Sequence, residues 1–356
     1  MHKSKIVLLT VLAGSILTTT VSAATIGRLS TSQLYQSIYS KIINKIGART
    51  TPTKTQTPAL APTPVKNPNP APTPTPAPTP APAPVTSPAP APVSAPVNTG
   101  KLWGAYLSDG NASSFESLVG AKMDVQAYFY GWGDGFPGNS NLKSQGKTLA
   151  IFWEQYGCTL DDIISGNEDA YIKQFASDAK AYGGPVMLMP FHEMNGNWDP
   201  WGGTVGSNTP AKVVSAWKHM YDLFAGASNV KFVWAVNNNS VPDTSTNEIA
   251  DYYPGSSYVD YVGVDGFNFG DQWTFSSVFS DALSQLRSYN KPILISSMAS
   301  AAGSQKASWI TEGLKLISSD PSIAGFIWFN ENKEQNWLVN SDPASLQAFK
   351  TGVQNF

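Results

Sequence analysis

Eight short runs of apolar, β-branched or aromatic residues recur along the second two thirds of the chain. They lie at 102–107, 125–130, 148–153, 186–191, 230–236, 259–264, 293–295 and 326–329. Between several of them the apolar residues fall at helical spacing. Tyr171, Phe175 and Ala179 precede the fourth run, and Val213, Trp217, Met220, Tyr221 and Phe224 precede the fifth. Helical stretches at 275–286, 309–317 and 346–353 fill the later gaps. Strands alternating with helices require a parallel sheet covered by helices. Eight such units favour closure into a (β/α)₈ TIM barrel over an open, doubly wound sheet. Residues 100–356 are also about the length one such barrel takes, roughly 250. No Gly-x-Gly-x-x-Gly follows the first run, which argues against a dinucleotide-binding fold.

The first hundred residues cannot belong to that core. Lys3 and Lys5, an apolar run at 6–16 and Val21-Ser22-Ala23 read as a secretory signal over 1–23. The apolar run is short for a bilayer span, so a cleaved signal is favoured over an uncleaved anchor. Residues 24–49 carry Leu34, Ile38, Ile42, Ile43 and Ile46 at helix-like spacing and read as a short segment for cell-surface attachment. From 50 to 99, repeats such as Ala71-Pro72-Thr73-Pro74 fix φ and remove backbone donors. A spacer of this length reaches roughly 150 Å at ~3.1 Å per residue. The expectation is an exported, monomeric barrel held away from whatever precedes it.

Only 13% of residues are charged and the net charge is −2, so nothing in composition draws nucleic acid. The single cysteine, Cys158, excludes an internal disulfide framework and a cysteine metal cluster. His2, His192 and His219 are too scattered for a zinc site, so neither metal nor cofactor is expected. Low charge with many aromatic residues suits a neutral ligand held by stacking.

Barrel sites lie at the C-terminal ends of the strands. Those ends carry Asp109, Trp132, Glu154, His192, Glu193, Asn237, Asp265, Ser297, Asn330 and Glu331. Carboxylates and amides beside aromatics fit hydrolysis of a polyhydroxylated polymer. That chemistry needs one carboxyl that stays protonated and a second group across the scissile bond. The most informative stretch is 189–203, Met-Pro-Phe-His-Glu-Met-Asn-Gly-Asn-Trp-Asp-Pro-Trp-Gly-Gly. Here an acid ends an apolar strand and leads into a Gly/Trp loop. Burial against rings would raise the pKa of Glu193, as a general acid requires, and Trp198 and Trp201 offer stacking faces.

With Tyr252-Tyr253-Pro254-Gly255, residues 258–268, Lys291-Pro292-Ile293-Leu294-Ile295 and residues 328–337 following in order, residues 102–350 resemble glycoside hydrolase family 26. The family contains β-mannanases and mixed-linkage β-glucanases. The resemblance implies a retaining mechanism, with Glu193 as acid/base on the fourth strand and a nucleophilic Glu on the seventh. It places His192, Asn195, Asp265 and Phe267 around the same site. It also implies a β-linked polysaccharide or oligosaccharide, mixed-linkage β-glucan or β-1,4-mannan, as the ligand. Tyr106, Trp132, Trp153, Trp273 and Trp328 are candidates for further subsites, whereas Trp217 belongs in the core. Three positions depart from the pattern. Ser297 stands where the family has its nucleophile, Phe267 where it often has Tyr, and Met189 where it commonly has Arg. Three outcomes follow: Glu331 or Asp265 substitutes for the missing carboxylate, the mechanism differs, or the protein binds glycans without cleaving them.

Overall fold

The computed structural model describes residues 100–270 and 273–356, together with the backbone of two short segments, Leu9–Leu12 and Ser15–Thr18. Those two segments pair as antiparallel strands. The remainder of the expected signal, the 24–49 segment and the proline-rich spacer lie outside the described residues.

From residue 102 the chain runs β1 (Leu102–Leu107), α1 (Ala112–Val119), β2 (Val125–Gly131), α2 (Ser140–Ser144), β3 (Thr148–Glu154), α3 (Leu160–Ile164), α4 (Asp169–Tyr182) and β4 (Val186–Pro190). It continues α5 (Pro210–Leu223), β5 (Val230–Asn237), β6 (Tyr261–Asn268), α6 (Phe275–Arg287), β7 (Ile293–Ser300), α7 (Lys306–Ser319), β8 (Ile323–Asn330) and α8 (Pro343–Val353). All eight strands are parallel and in sequence order, and β8 pairs with β1 to close the barrel. The (β/α)₈ expectation therefore holds. Among the described residues no helix is long and apolar enough to cross a membrane.

Alternation along each strand divides the apolar residues into two layers. The inner set, including Val125, Ala127, Ala150, Phe152, Met187, Met189, Val233, Ala235, Leu294 and Ile327, packs on itself inside the barrel. The mix of small and large side chains fills the lumen, as barrels of this size require. Met189 is one of these plugs. The outer set packs beneath the helices.

This alternation corrects three expectations about sugar subsites. Phe152 points inward, so Trp153 must point outward. It is fully buried, stacked on Phe175 of α4 with ring centroids 4.2 Å apart. Ile327 likewise points inward, and Trp328 lies outside against Trp309 of α7 and Phe349 of α8. Trp132 is folded back onto Trp153 and Tyr171, its indole N–H donating to Glu168 at 2.9 Å. Each such ring removes about 200 Å² from water, worth roughly 5 kcal/mol as an upper figure. These tryptophans hold the helical layer on the barrel. Trp217 is buried on α5, as expected.

Strand β7 extends beyond its apolar run. The sequence signal stops at Ile295, yet the ladder with β6 continues to Ser300. Here Val264 pairs with Ile295 but Asp265 with Ser297, so Ser296 is an extra residue on β7.

Because the core is complete from residue 102 onward, residues 100–356 alone are expected to melt in one cooperative transition. Circular dichroism during heating checks this, and a broad, non-cooperative melt would move the domain boundary.

Candidate active site

Strand β4 delivers the histidine–glutamate pair through an unusual backbone. Phe191 and Glu193, one on each side of His192, sit at φ 53° and 55°. That left-handed region is costly for bulky side chains and is held only where the surroundings enforce it. Here they do. The Phe191 N–H donates to Gln155 Oε1 at 3.1 Å, and the Glu193 N–H donates to the Ala235 carbonyl on β5 at 3.0 Å.

The following loop is clamped to β5 by Asn195. Its side-chain amide donates to the Asn237 carbonyl, and its side-chain oxygen accepts from the Asn237 N–H, at 2.9 and 2.8 Å. Asn195 is wholly buried, with both ends of its amide used in this clamp. It positions the loop and does not reach a ligand, which corrects its expected binding role. Trp201 is corrected in the same way. At 2% exposure it lies behind the site, its N–H donating to the His192 carbonyl at 2.7 Å.

Trp198 keeps a place in the cleft. Half-buried, it donates its indole N–H to Glu193 Oε2 at 2.8 Å. Gly196 makes this possible, since a Cβ there would come within 2.4 Å of the Trp198 ring.

Burial pushes the Glu193 carboxyl well above its usual range, and the nearby carboxylates of Asp265 and Asp199 push it further. The Trp198 N–H and the Lys333 charge pull back only in part. Asp199 is raised by burial to about 7, although Tyr156 donates to it at 2.7 Å. Asp265 is also raised by burial to about 7, against hydrogen bonds from the Ser296 hydroxyl at 2.6 Å and the Ser297 backbone N–H. His192 is driven down to about 3, chiefly by burial and then by Lys333, so it stays neutral. Its Nδ1 lies 3.8 Å from Asp265, its Nε2 has no hydrogen-bond partner, and its ring meets Phe129 and Phe152 edge-on.

A prediction follows for Trp198. Its N–H stabilises the charged form of Glu193, so Trp198→Phe should raise the Glu193 pKa further. Loss of the protonated acid then occurs at higher pH, and the alkaline limb of the pH–rate profile moves up. An unmoved limb would mean this bond does not tune the acid.

Ser297 lies on β7, next to Asp265 in the ladder. Leu294 faces the lumen and Met298 belongs to the outer layer, so Ser297 turns inward. The Ser296 hydroxyl is used by Asp265, whereas no described residue hydrogen-bonds the Ser297 hydroxyl, and the side chain is 4% exposed.

Tyr106 stacks on Phe329 at 4.9 Å, and Phe267 and Phe269 continue the aromatic wall towards Trp337. The Tyr106 hydroxyl is pushed up by burial, then by Glu331 and Glu154. Glu331 is therefore near this wall. It is half-buried, with its own carboxyl raised by burial. Trp273 is 43% exposed beyond β6 and keeps an open face.

Asp199, Tyr156, Ser296 and Lys333 were not singled out from sequence. The signal for Asp199 and Lys333 was present, because both stand inside quoted motifs. For Tyr156 and Ser296 only contacts reveal the role. His192, Glu193 and Asp199 each offer an atom within 4.8 Å of the others, the set among the described residues that could hold a cation. Hydrogen bonds from Trp198 and Tyr156 already use one oxygen on each carboxylate.

A family model, Glycosyl hydrolase family 26, matches residues 122–343. Endoglucanase H of Acetivibrio thermocellus is 39% identical over 277 residues, covering 72% of this chain and 31% of that protein. A mannan endo-1,4-beta-mannosidase of Bacillus subtilis is 29% identical over 171 residues, covering 46% of this chain and 43% of that protein. The chain thus spans less than half the length of these curated relatives. Among solved structures, a Bacillus subtilis mannanase superimposes with TM-score 0.53 at 20% identity, covering 70% of this chain and 85% of that one. A Bacteroides ovatus β-mannanase superimposes with TM-score 0.54 at 17% identity, covering 72% and 90%. Those likenesses concern the barrel alone. It is the family match, running from before β2 to the start of α8 and enclosing His192, Glu193, Asp199, Asp265 and Ser297, that decides the assignment: the chain belongs to glycosyl hydrolase family 26.

Proposed function

We propose that the protein is a secreted endo-acting β-glycanase for mixed-linkage β-glucan or β-1,4-mannan, with Glu193 as general acid/base. The observation carrying this reading is the Glu193 carboxyl. It is raised by burial and by two neighbouring acids, held by the Trp198 N–H, and presented at a barrel mouth lined with aromatic rings. A carboxyl kept protonated can donate to a departing glycosidic oxygen. Endoglucanase H and the mannosidases among the relatives support a β-linked glycan as substrate. Secretion and display on a proline-rich spacer are proposed from residues 1–23 and 50–99.

Ser297 favours a second reading, a glycan-binding protein with little or no turnover, because a neutral hydroxyl replaces the carboxylate that such hydrolysis uses. Release of reducing ends from β-glucan and β-mannan, set beside calorimetric binding of the same glycans, separates the two. Turnover supports the first reading, and binding without turnover supports the second.

A further inference from the structure

We propose that His192, Glu193 and Asp199 form a binding site for a divalent cation of the Zn²⁺ class, and that a cation held there shuts the active site reversibly. The site itself does not depend on Glu193 being the acid/base, whereas its effect on turnover rests on that reading. Local folding brings the three residues together. Glu193 leaves β4 in the left-handed conformation, and the Gly196 N–H closes the next turn on its carbonyl at 2.8 Å. The loop then doubles back, with Gly203 donating to the Met194 carbonyl at 2.9 Å and Gly202 to the Asp199 carbonyl at 3.0 Å. A Cβ on Gly202 would come within 2.4 Å of the Gly196 carbonyl oxygen, so this crossing needs glycine. Asp199 is thereby returned to the acid. One ligand atom from each of the three residues lies within 4.8 Å of the other two.

His192 is what distinguishes this set from a pair of neighbouring acids. It is 7% exposed, and its buried Nε2 has no hydrogen-bond partner among the described residues. Asp265 lies 3.8 Å from Nδ1, the side from which a carboxylate orients a metal-bound imidazole. The ring stays neutral, so a nitrogen lone pair is available. Trp198 and Tyr156 each bond one oxygen of Glu193 and Asp199, which leaves each carboxylate a second oxygen. One imidazole nitrogen, two carboxylate oxygens and a water make a four-coordinate zinc set, with bonds of about 2.0–2.2 Å. Small side-chain rotations close the present triangle to that size. Ca²⁺ and Mg²⁺ prefer oxygen-only sets and fit it less well. Asp265 adds negative charge beside the three, and Lys333, paired with Glu334 at 3.1 Å, opposes it. The scatter of the histidines excludes a histidine-rich zinc site, but this one needs a single histidine. A cation on Glu193 takes the place of its proton, which passes to water. No acid then remains for a departing glycosidic oxygen.

The test uses the full chain, freed of metal with a chelator and titrated calorimetrically with Zn²⁺, and with Co²⁺ for its visible absorption. Saturable binding of zinc below about 1 mM is expected, with Ca²⁺ and Mg²⁺ much weaker. Asp199→Asn and His192→Gln should each weaken zinc about tenfold or more, at least the loss seen when a supporting group is removed. His219→Gln, away from the cleft and paired with Asp169 at 2.6 Å, should leave it unchanged. Should His192→Gln fail to fold, Asp199→Asn, whose amide oxygen still accepts from Tyr156, decides alone. Saturating zinc should lower the release of reducing ends, or the calorimetric binding of β-glycan, about tenfold or more, and a chelator should restore it. Absence of zinc binding in a protein that still binds or cleaves β-glycans overturns this inference and leaves the proposed function standing. Zinc that is indifferent to Asp199→Asn but lost with His219→Gln overturns the site. Zinc bound through these residues without effect on glycan turnover or binding overturns the closure. Metal-free protein that binds zinc here but neither cleaves nor binds β-glycans overturns the proposed function and leaves the site standing.

Discussion

Glu193→Gln is expected to reduce the release of reducing ends from a β-glycan about 10²–10⁴-fold, the range for removing a general acid. Gln has the same shape, so Trp198 loses only a carboxylate acceptor for an amide one, and the left-handed backbone at Phe191 and Glu193 is undisturbed. What disappears is the proton held on Glu193 by burial, Asp265 and Asp199. The loss should depend on the leaving group. A sugar alkoxide must be protonated as it departs, whereas a nitrophenolate leaves without help. Polysaccharide hydrolysis should therefore fall much more than cleavage of a nitrophenyl β-glycoside. Equal losses on both substrates, with an unchanged melting temperature, would assign Glu193 to binding.

The largest gain is expected from Ser297→Glu, which should raise hydrolysis of β-glucan or β-mannan oligosaccharides about 10²-fold or more. Ser297 faces the lumen side of β7, so a longer carboxylate enters the cleft. There it can approach the ~5–5.5 Å separation from Glu193 that retaining enzymes use. Asp265 and Asp199 are already crowded with Glu193, and a further negative charge raises Glu193 again, which favours the acid form. Phe267 has no hydroxyl to orient the new group, so Phe267→Tyr added to Ser297→Glu should increase the gain. The measurement is the initial rate of native, single and double variants on the same oligosaccharides. If the native protein is the faster enzyme and Ser297→Glu slows it, Ser297 does not mark the vacant nucleophile position. Glu331, half-buried beside Tyr106, then becomes the carboxylate to replace.

The barrel was legible because its signal is periodic. Eight apolar runs interleaved with helical spacing leave little choice of topology, and all eight became strands. The end of β7 was hidden because Ser296 and Ser297 carry no apolar signal, although their backbone continues the ladder to Ser300. Glu193 was legible from its place between an apolar strand and a Gly/Trp loop. The faces of the aromatic residues were not. Trp153 and Trp328 stand near strand ends in sequence, yet one step of alternation turns each away from the mouth. Trp201 and Asn195 belong to the same motif as Glu193 but serve its loop from behind. Proximity in sequence to a catalytic group says which loop a residue builds, and burial decides whether it meets the ligand.

The outward-facing tryptophans also determine what the protein's own light emission reports. Nine of its indoles, from Trp103 to Trp337, are enclosed beneath helices or behind the site, whereas Trp198 is half-buried and Trp273 is open to solvent. The enclosed indoles emit towards the blue and respond to the parting of helix from sheet. A spectral change on adding a glycan would originate at Trp198 or Trp273, one touching the acid and the other at the rim, so replacing each with Phe assigns the signal to a location along the cleft.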